Sequence, residues 1–193
     1  MLALIRTFFI GFLLLHSVAS IAYEMSNEEH SEIRDFLRQS LAKEYSFSDR
    51  FDAEVWLLSQ SNKLKRYIKD EKKRLHLLRN IHLEATRAEL NPDVVLAVIQ
   101  VESAFDSYAV SSAGAQGLMQ VMPFWRNEIG RNDDNLTATL TNLRYGCRIL
   151  QIYLQREKGN LMMALARYNG SYPKTWYSER VMDAWKNRWD SGN

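Results

Sequence analysis

Glu102 is the residue of this 193-residue chain whose type and position packing alone explains least. Val95, Val98 and Ile99 lie seven, four and three residues before it, so a helix through this stretch carries all of them on one face. A carboxylate on an apolar stripe is costly unless it is neutral or paired. Asn91-Pro92-Asp93 is a helix start, with Asn as N-cap, Pro at the first helical position and Asp complementing the dipole. The helix is therefore predicted to run from there to Ser103, with Glu102 at its C-terminal end, where the dipole disfavours negative charge. Burial and dipole both raise the carboxyl pKa, which suits an acid that must deliver a proton near neutral pH. Periodicity leaves a second reading open, a glutamate rotated to solvent at a frayed helix end.

Other chemistries find little support. The four histidines, at 16, 30, 76 and 82, lack the spacing of a metal-binding helix, so no metal and no cofactor are expected. One cysteine, Cys147, excludes an intramolecular disulfide framework. It shares a helical face with Leu143, Leu150 and Leu154, which predicts a buried thiol. A formal charge of +2 is too small to imply a nucleic-acid partner. With 46% hydrophobic and 25% charged residues the chain is ordinary globular material, and 8 Gly with 3 Pro argue against a turn-dense sandwich or barrel.

The elements that must position Glu102 read as helices throughout, with no convincing strand. Residues 1–22 have the pattern of a signal peptide: Arg6, an apolar run from Phe8 to Leu15, and small residues that permit cleavage after Ala19 or Ala22. An exported, periplasmic or extracytoplasmic protein is expected. From Glu24 to Glu54 the chain is acidic, and from Lys63 to Arg79 it is basic, the latter read as a solvated face. Apolar residues recur at helical spacing in both, as in Leu64, Tyr67, Ile68, Leu75 and Leu78, so residues 23–78 are expected to pack as a helical extension. Beyond Ser103 a loop rich in Ser, Ala and Gly leads to Leu118-Met119-Gln120-Val121-Met122-Pro123. Two further helices are predicted at about 138–157 and 160–169, separated by Gly159-Asn160 and stopped at Asn169-Gly170. An amphipathic segment with Trp176, Val181, Trp185 and Trp189 closes the chain; these tryptophans and Trp125 are expected mainly to pack.

The stretch Glu102-Ser103-Ala104-Phe105-Asp106, then Ser111, then Gly114-Ala115-Gln116-Gly117-Leu118-Met119-Gln120-Val121-Met122-Pro123, resembles the signature of the soluble lytic transglycosylases. Asn142-Leu143-Arg144-Tyr145-Gly146 and Ala166-Arg167-Tyr168-Asn169-Gly170 follow in the order and spacing of that family's later motifs. The resemblance covers roughly residues 80 to 190. The chain departs from the family at Ser107, where proline is usual, in Thr137 to Thr141, which lacks an Asp-Pro, and in the shortened Tyr168-Asn169-Gly170-Ser171.

The resemblance implies a mainly α, lysozyme-like catalytic domain over 79–193, following the extension of 23–78. It implies cleavage of peptidoglycan glycan strands between N-acetylmuramic acid and N-acetylglucosamine, leaving a 1,6-anhydro end. Glu102 would be acid and then base. Ser111 would bond the substrate acetamido group, and Ser103 would support the helix end. Gly114 and Gly117 would admit the glycan backbone or take positive φ, and Gln120 and Met122 would line the cleft. Tyr168 would bring its hydroxyl near Glu102, with Asn169 holding that wall, whereas Leu118 and Met119 are expected in the core. Glycosidases commonly use two carboxyl groups, but the next acidic residues, Asp106, Glu128, Asp133 and Asp134, occupy no position the family marks as catalytic. Two alternatives stay open, a muramidase that uses water and a catalytically silent glycan-binding module of an envelope machine. A monomer is expected, with room for partner proteins of the envelope machinery.

Overall fold

The computed structural model describes residues 50–192; residues 1–22, expected to be a signal peptide, and most of the acidic stretch lie outside the described residues. Within them the chain forms α1 (Arg50–Leu64), α2 (Glu71–Arg87), α3 (Pro92–Ser103), α4 (Trp125–Ile129), α5 (Thr139–Arg156), α6 (Leu161–Asn169) and α7 (Trp176–Ala184), closed by a π-helical turn at Trp185–Trp189. Sheet-like pairing among the described residues is confined to two isolated bridges, Val110 with Gln116 and Gln116 with Val121. The mainly helical class read from the sequence is the observed one.

Helix α3 is the axis. Asn91 caps it by accepting a bond from Asp93 N at 2.8 Å, and Val94 to Ile99 are buried around the whole circumference. It packs against α2, α7 and the π-helical turn, while α5 packs on α2 and α6, and α6 on α7. Asn160 caps α6 and Gly170 ends it in the left-handed conformation, φ +80°, as the Gly159-Asn160 and Asn169-Gly170 pairs predicted. Cys147 is buried beside Leu143 and Leu150, and burial pushes its thiol well above the ordinary range.

Asp93 does more than complement a dipole. Its carboxylate is buried and accepts from Trp56 Nε1 (2.8 Å) and Gln60 Nε2 (2.9 Å) on α1, and from Ser191 N (2.9 Å) and Oγ (2.6 Å) at the C-terminal end. Four donors at the positive end of α3 offset the cost of taking this charge out of water.

The solvated reading of the basic stretch fails at Arg74 and Arg79, which are buried. Arg74 donates to Ser61 Oγ (3.0 Å), Ile68 O (3.1 Å) and Lys69 O (2.7 Å), so its fork closes the turn between α1 and α2. Leu57, Leu64, Leu75 and Leu78 are buried in the same core as α3, and α2 runs unbroken through residue 78. The described part of 23–78 is thus built into the body of the molecule.

Candidate active site

The chain leaves α3 abruptly. Ala104 (φ 50°) and Phe105 (φ 68°) follow Ser103 in the left-handed region, two successive non-glycine residues in a conformation that costs about 1 kcal/mol or more each. The packing of Phe105 against the rings of Tyr67 (4.8 Å between centroids) and Trp189 (5.3 Å) holds the turn in place. Glu102 is thereby left at the last helical turn, half-buried, where the loop of residues 104–124 begins.

That loop is pinned from three helices. Ser103 Oγ on α3 donates to Leu118 O (2.7 Å), and Tyr168 Oη on α6 donates to Met119 O (2.7 Å). Asn142 on α5 is fully buried, accepts from Met119 N (2.7 Å) and donates to Gln116 O (2.8 Å) and Leu136 O (2.7 Å). Gly146, one turn further along α5, gives room for the Met119 side chain, which a Cβ there would strike. Gly117 has φ +73°, and a Cβ would fall 2.5 Å from Asn142 Nδ2. Its function is internal closure. Gln120 turns its amide inward, donating to Ala109 O (3.1 Å) and Gly117 O (2.9 Å), so it stiffens the loop and its Nε2 does not project into a cleft. The backbone orphans of an irregular segment are in this way taken up by side chains.

Glu102 has one hydrogen-bond partner within this frame. Tyr177, on α7 and buried, donates its hydroxyl to Glu102 Oε1 at 2.6 Å. Desolvation raises the Glu102 pKa above the ordinary carboxylate value; the Tyr177 bond and the positive charge of Arg180 pull the other way without cancelling it. Burial, reinforced by the Glu102 charge, lifts both Tyr168 and Tyr177 well above the usual phenol range, so both stay protonated donors. The buried, raised-pKa reading of Glu102 holds over the solvent-rotated one.

Tyr168 stands near Glu102, as expected, close enough for the carboxylate to perturb it, and its hydroxyl goes to Met119 O. The hydroxyl that bonds Glu102 itself belongs to Tyr177, which the sequence reading did not single out. The signal was present in the sequence: Tyr177 is spaced with Val181 and Ala184 on the apolar face of α7, and a phenol there needs a polar partner. Ser103 supports the helix end, as anticipated. Ser111 Oγ accepts from Ala115 N (3.0 Å), which leaves its own hydroxyl proton for an outside acceptor. Gly114 has φ +87° with open space where a Cβ would stand, and Met122 is half-buried. Asn169 is exposed at the end of α6. Leu118 and Met119 are buried, as expected of core residues. Of the tryptophans, Trp189 is fully buried, whereas Trp176 is 48% exposed, edge-on to Tyr177 at 6.1 Å, and so departs from the packing expectation.

The nearby acids are engaged elsewhere. Asp106 is exposed and accepts from Tyr108 N (2.9 Å), a local turn. Asp134 accepts from Tyr145 Oη (2.5 Å) and from Arg131 N (3.1 Å). Among the described residues no group of three His, Cys, Asp or Glu could hold a metal ion.

The model of the transglycosylase SLT domain family matches residues 79–184, more than half of the chain. The chain belongs to that family. Membrane-bound lytic murein transglycosylase C from Actinobacillus pleuropneumoniae, in serotypes 5b and 3, is 54% identical over 39 residues, 20% of this chain and 11% of each relative. The matched segment thus spans about a tenth of those relatives. An inactive mutant of the lytic transglycosylase Slt from Pseudomonas aeruginosa superposes with a TM-score of 0.44 at 26% identity, over 55% of this chain and 19% of that one. Within the SLT family match lie Glu102, the pinned loop, Asn142, Tyr168 and Tyr177, so the elements described above are all part of the shared domain.

Proposed function

We propose that the protein is a peptidoglycan lytic transglycosylase with Glu102 as its single acid and base. The observation that carries this is the carboxyl at the end of α3, half-buried, raised in pKa and bonded to one neutral donor, Tyr177. In its protonated form Glu102 gives its proton to the glycosidic oxygen as the bond from muramyl C1 breaks. The substrate's own 2-acetamido group stabilises the oxocarbenium-like centre, and Ser111, whose hydroxyl proton is not used by its bond from Ala115 N, is the residue proposed to bond it. The Glu102 carboxylate then takes the proton of the muramyl 6-hydroxyl, whose oxygen attacks C1 to form the 1,6-anhydro ring. Glu102 ends protonated, as it began. No second carboxylate is required, consistent with the engagement of Asp106 and Asp134 in their own loops.

Export by a cleaved signal peptide of residues 1–22 places the enzyme with its substrate in the envelope, where the names of its relatives also point. Among the described residues no helix is long and apolar enough to cross a membrane. A monomer working on glycan strands is the form proposed. Digestion of purified sacculi is the test. Release of 1,6-anhydromuropeptides supports the reading, reducing muropeptides indicate a hydrolytic muramidase, and binding without turnover indicates a silent module.

A further inference from the structure

The end of α3 needs outside support. Ala104 and Phe105 are left-handed without being glycine, and relaxing them would move the loop that starts there relative to Glu102. Ala104 N donates to Gln100 O (3.2 Å) and Asp106 N to Ser103 O (3.0 Å), but these bonds are internal to the turn and do not tie it to the rest of the fold. A tie comes from Trp189, a fully buried residue that the proposed reaction does not use.

Trp189 grips the turn on both sides of the acid. Its Nε1 donates to Gln100 Oε1 at 2.9 Å, before Glu102 in the chain, and its ring lies 5.3 Å from that of Phe105, after it. Tyr67, stacked on Trp189 at 6.5 Å and 4.8 Å from Phe105, completes the ring cluster. The indole is itself fixed through its backbone. Asp190 N donates to Trp185 O (2.9 Å), closing the π-helical turn, and Gln60 Nε2 on α1 donates to Trp189 O (2.8 Å). Widened turns of this kind are frequent at functional sites. The turn continues α7, the helix of Tyr177, so two side-chain bonds join one rod to the end of α3: Tyr177 to Glu102 and Trp189 to Gln100. Tyr67 and Trp189 both lie outside residues 79–184, the segment matched by the family.

We infer that Trp189 is a positioning residue for the reaction, a brace from beyond the family segment that sets the Glu102 carboxyl against Tyr177 and against the loop of residues 104–124. Glu102 has a single hydrogen bond to steer it, so its aim depends on where α3 ends and how that end is held. Misplacing a reacting group by ~1 Å costs about a hundredfold in rate. Trp189 is buried and cannot touch a glycan, so its effect falls on turnover and not on substrate binding. The inference rests on the reading of Glu102 as the acid and base.

The test is a double-mutant cycle in the full chain, read as release of 1,6-anhydro ends from peptide-free glycan strands at a temperature where the variants are folded. Trp189→Phe keeps a ring beside Phe105 and loses the bond to Gln100. Gln100→Leu removes the same bond with the indole in place, and decides the matter if Trp189→Phe does not fold. Each should lower kcat about tenfold with KM held within about twofold. Combined with Tyr177→Phe, either should cost well short of the ~hundredfold that independent losses would give, because both bonds serve one alignment. Unchanged kcat in the single variants, a loss confined to KM, or full additivity with Tyr177→Phe would each overturn the inference and leave Glu102 as the acid. Wild-type turnover retained by Glu102→Gln would instead overturn the reading of the acid, and with it the residue to be positioned.

Discussion

Tyr177 donates its hydroxyl to Glu102 Oε1 across 2.6 Å, joining α7 to the end of α3 over a sequence separation of 75 residues. The bond acts on the acid in two ways. It orients the carboxyl, and it stabilises the charged form, holding the raised pKa below the level that burial alone would set.

Tyr177→Phe should therefore raise the Glu102 pKa further. The reaction starts from the protonated acid, so activity falls as pH rises through that pKa, and in the variant this limb moves to higher pH. Loss of one orienting bond should also lower kcat by roughly tenfold and stability by about 1 kcal/mol. A pH–rate profile of both proteins checks it, and an alkaline limb that stays in place sinks it.

Glu102→Gln removes the proton but keeps the shape. Release of anhydromuropeptides should drop by about a thousandfold or more while glycan binding persists. Stability should move the other way. A carboxyl whose folded pKa is raised above its ordinary value of 4.5 keeps its proton in the native state while the unfolded chain ionises, so native stability declines as pH rises from that value to the folded pKa. The amide escapes this loss, and its melting temperature at neutral pH should exceed that of the wild type.

Asp106→Asn should retain substantial activity, because the side chain serves its own turn. Comparable loss in the Asp106 and Glu102 variants, measured by the same product release, would point to a two-carboxylate hydrolase.

Asn142→Ala deletes three hydrogen bonds at a fully buried position and strands Met119 N and Leu136 O, while Gln116 O keeps its bond from Val121 N. The expected cost is about 3 kcal/mol or more in urea denaturation, with activity falling as the loop loosens.

The helical class and α3 could be read from the sequence because each rests on local rules, whereas local rules left Glu102 open to a solvent-rotated reading and the choice of it rested on the resemblance. Asn91-Pro92-Asp93 starts a helix wherever it stands, and counting back from Glu102 finds the apolar face. What escaped depends on contacts between distant segments. Gln120 looked like a cleft residue, yet its positive φ of 48° and two inward bonds are dictated by the loop around it. Arg74 sits in a run of lysines that suggests solvent, and only the turn between α1 and α2 decides that its fork goes inside. Tyr168 and Tyr177 both lie near Glu102, and which hydroxyl reaches the carboxyl is settled by where Met119 O stands.

Asp93 has a consequence for how the protein can be cut. Two of its donors, Trp56 and Gln60, precede the segment matched by the family, residues 79–184, and Ser191 follows it. A fragment trimmed to the homologous stretch would keep the carboxylate in the helix that ends at Glu102 and discard all three residues whose side chains or backbone neutralise it. The clasp makes the two flanks a shared fastening of one cooperative body, so the smallest autonomous unit is longer at both ends than the segment by which evolution makes it recognisable.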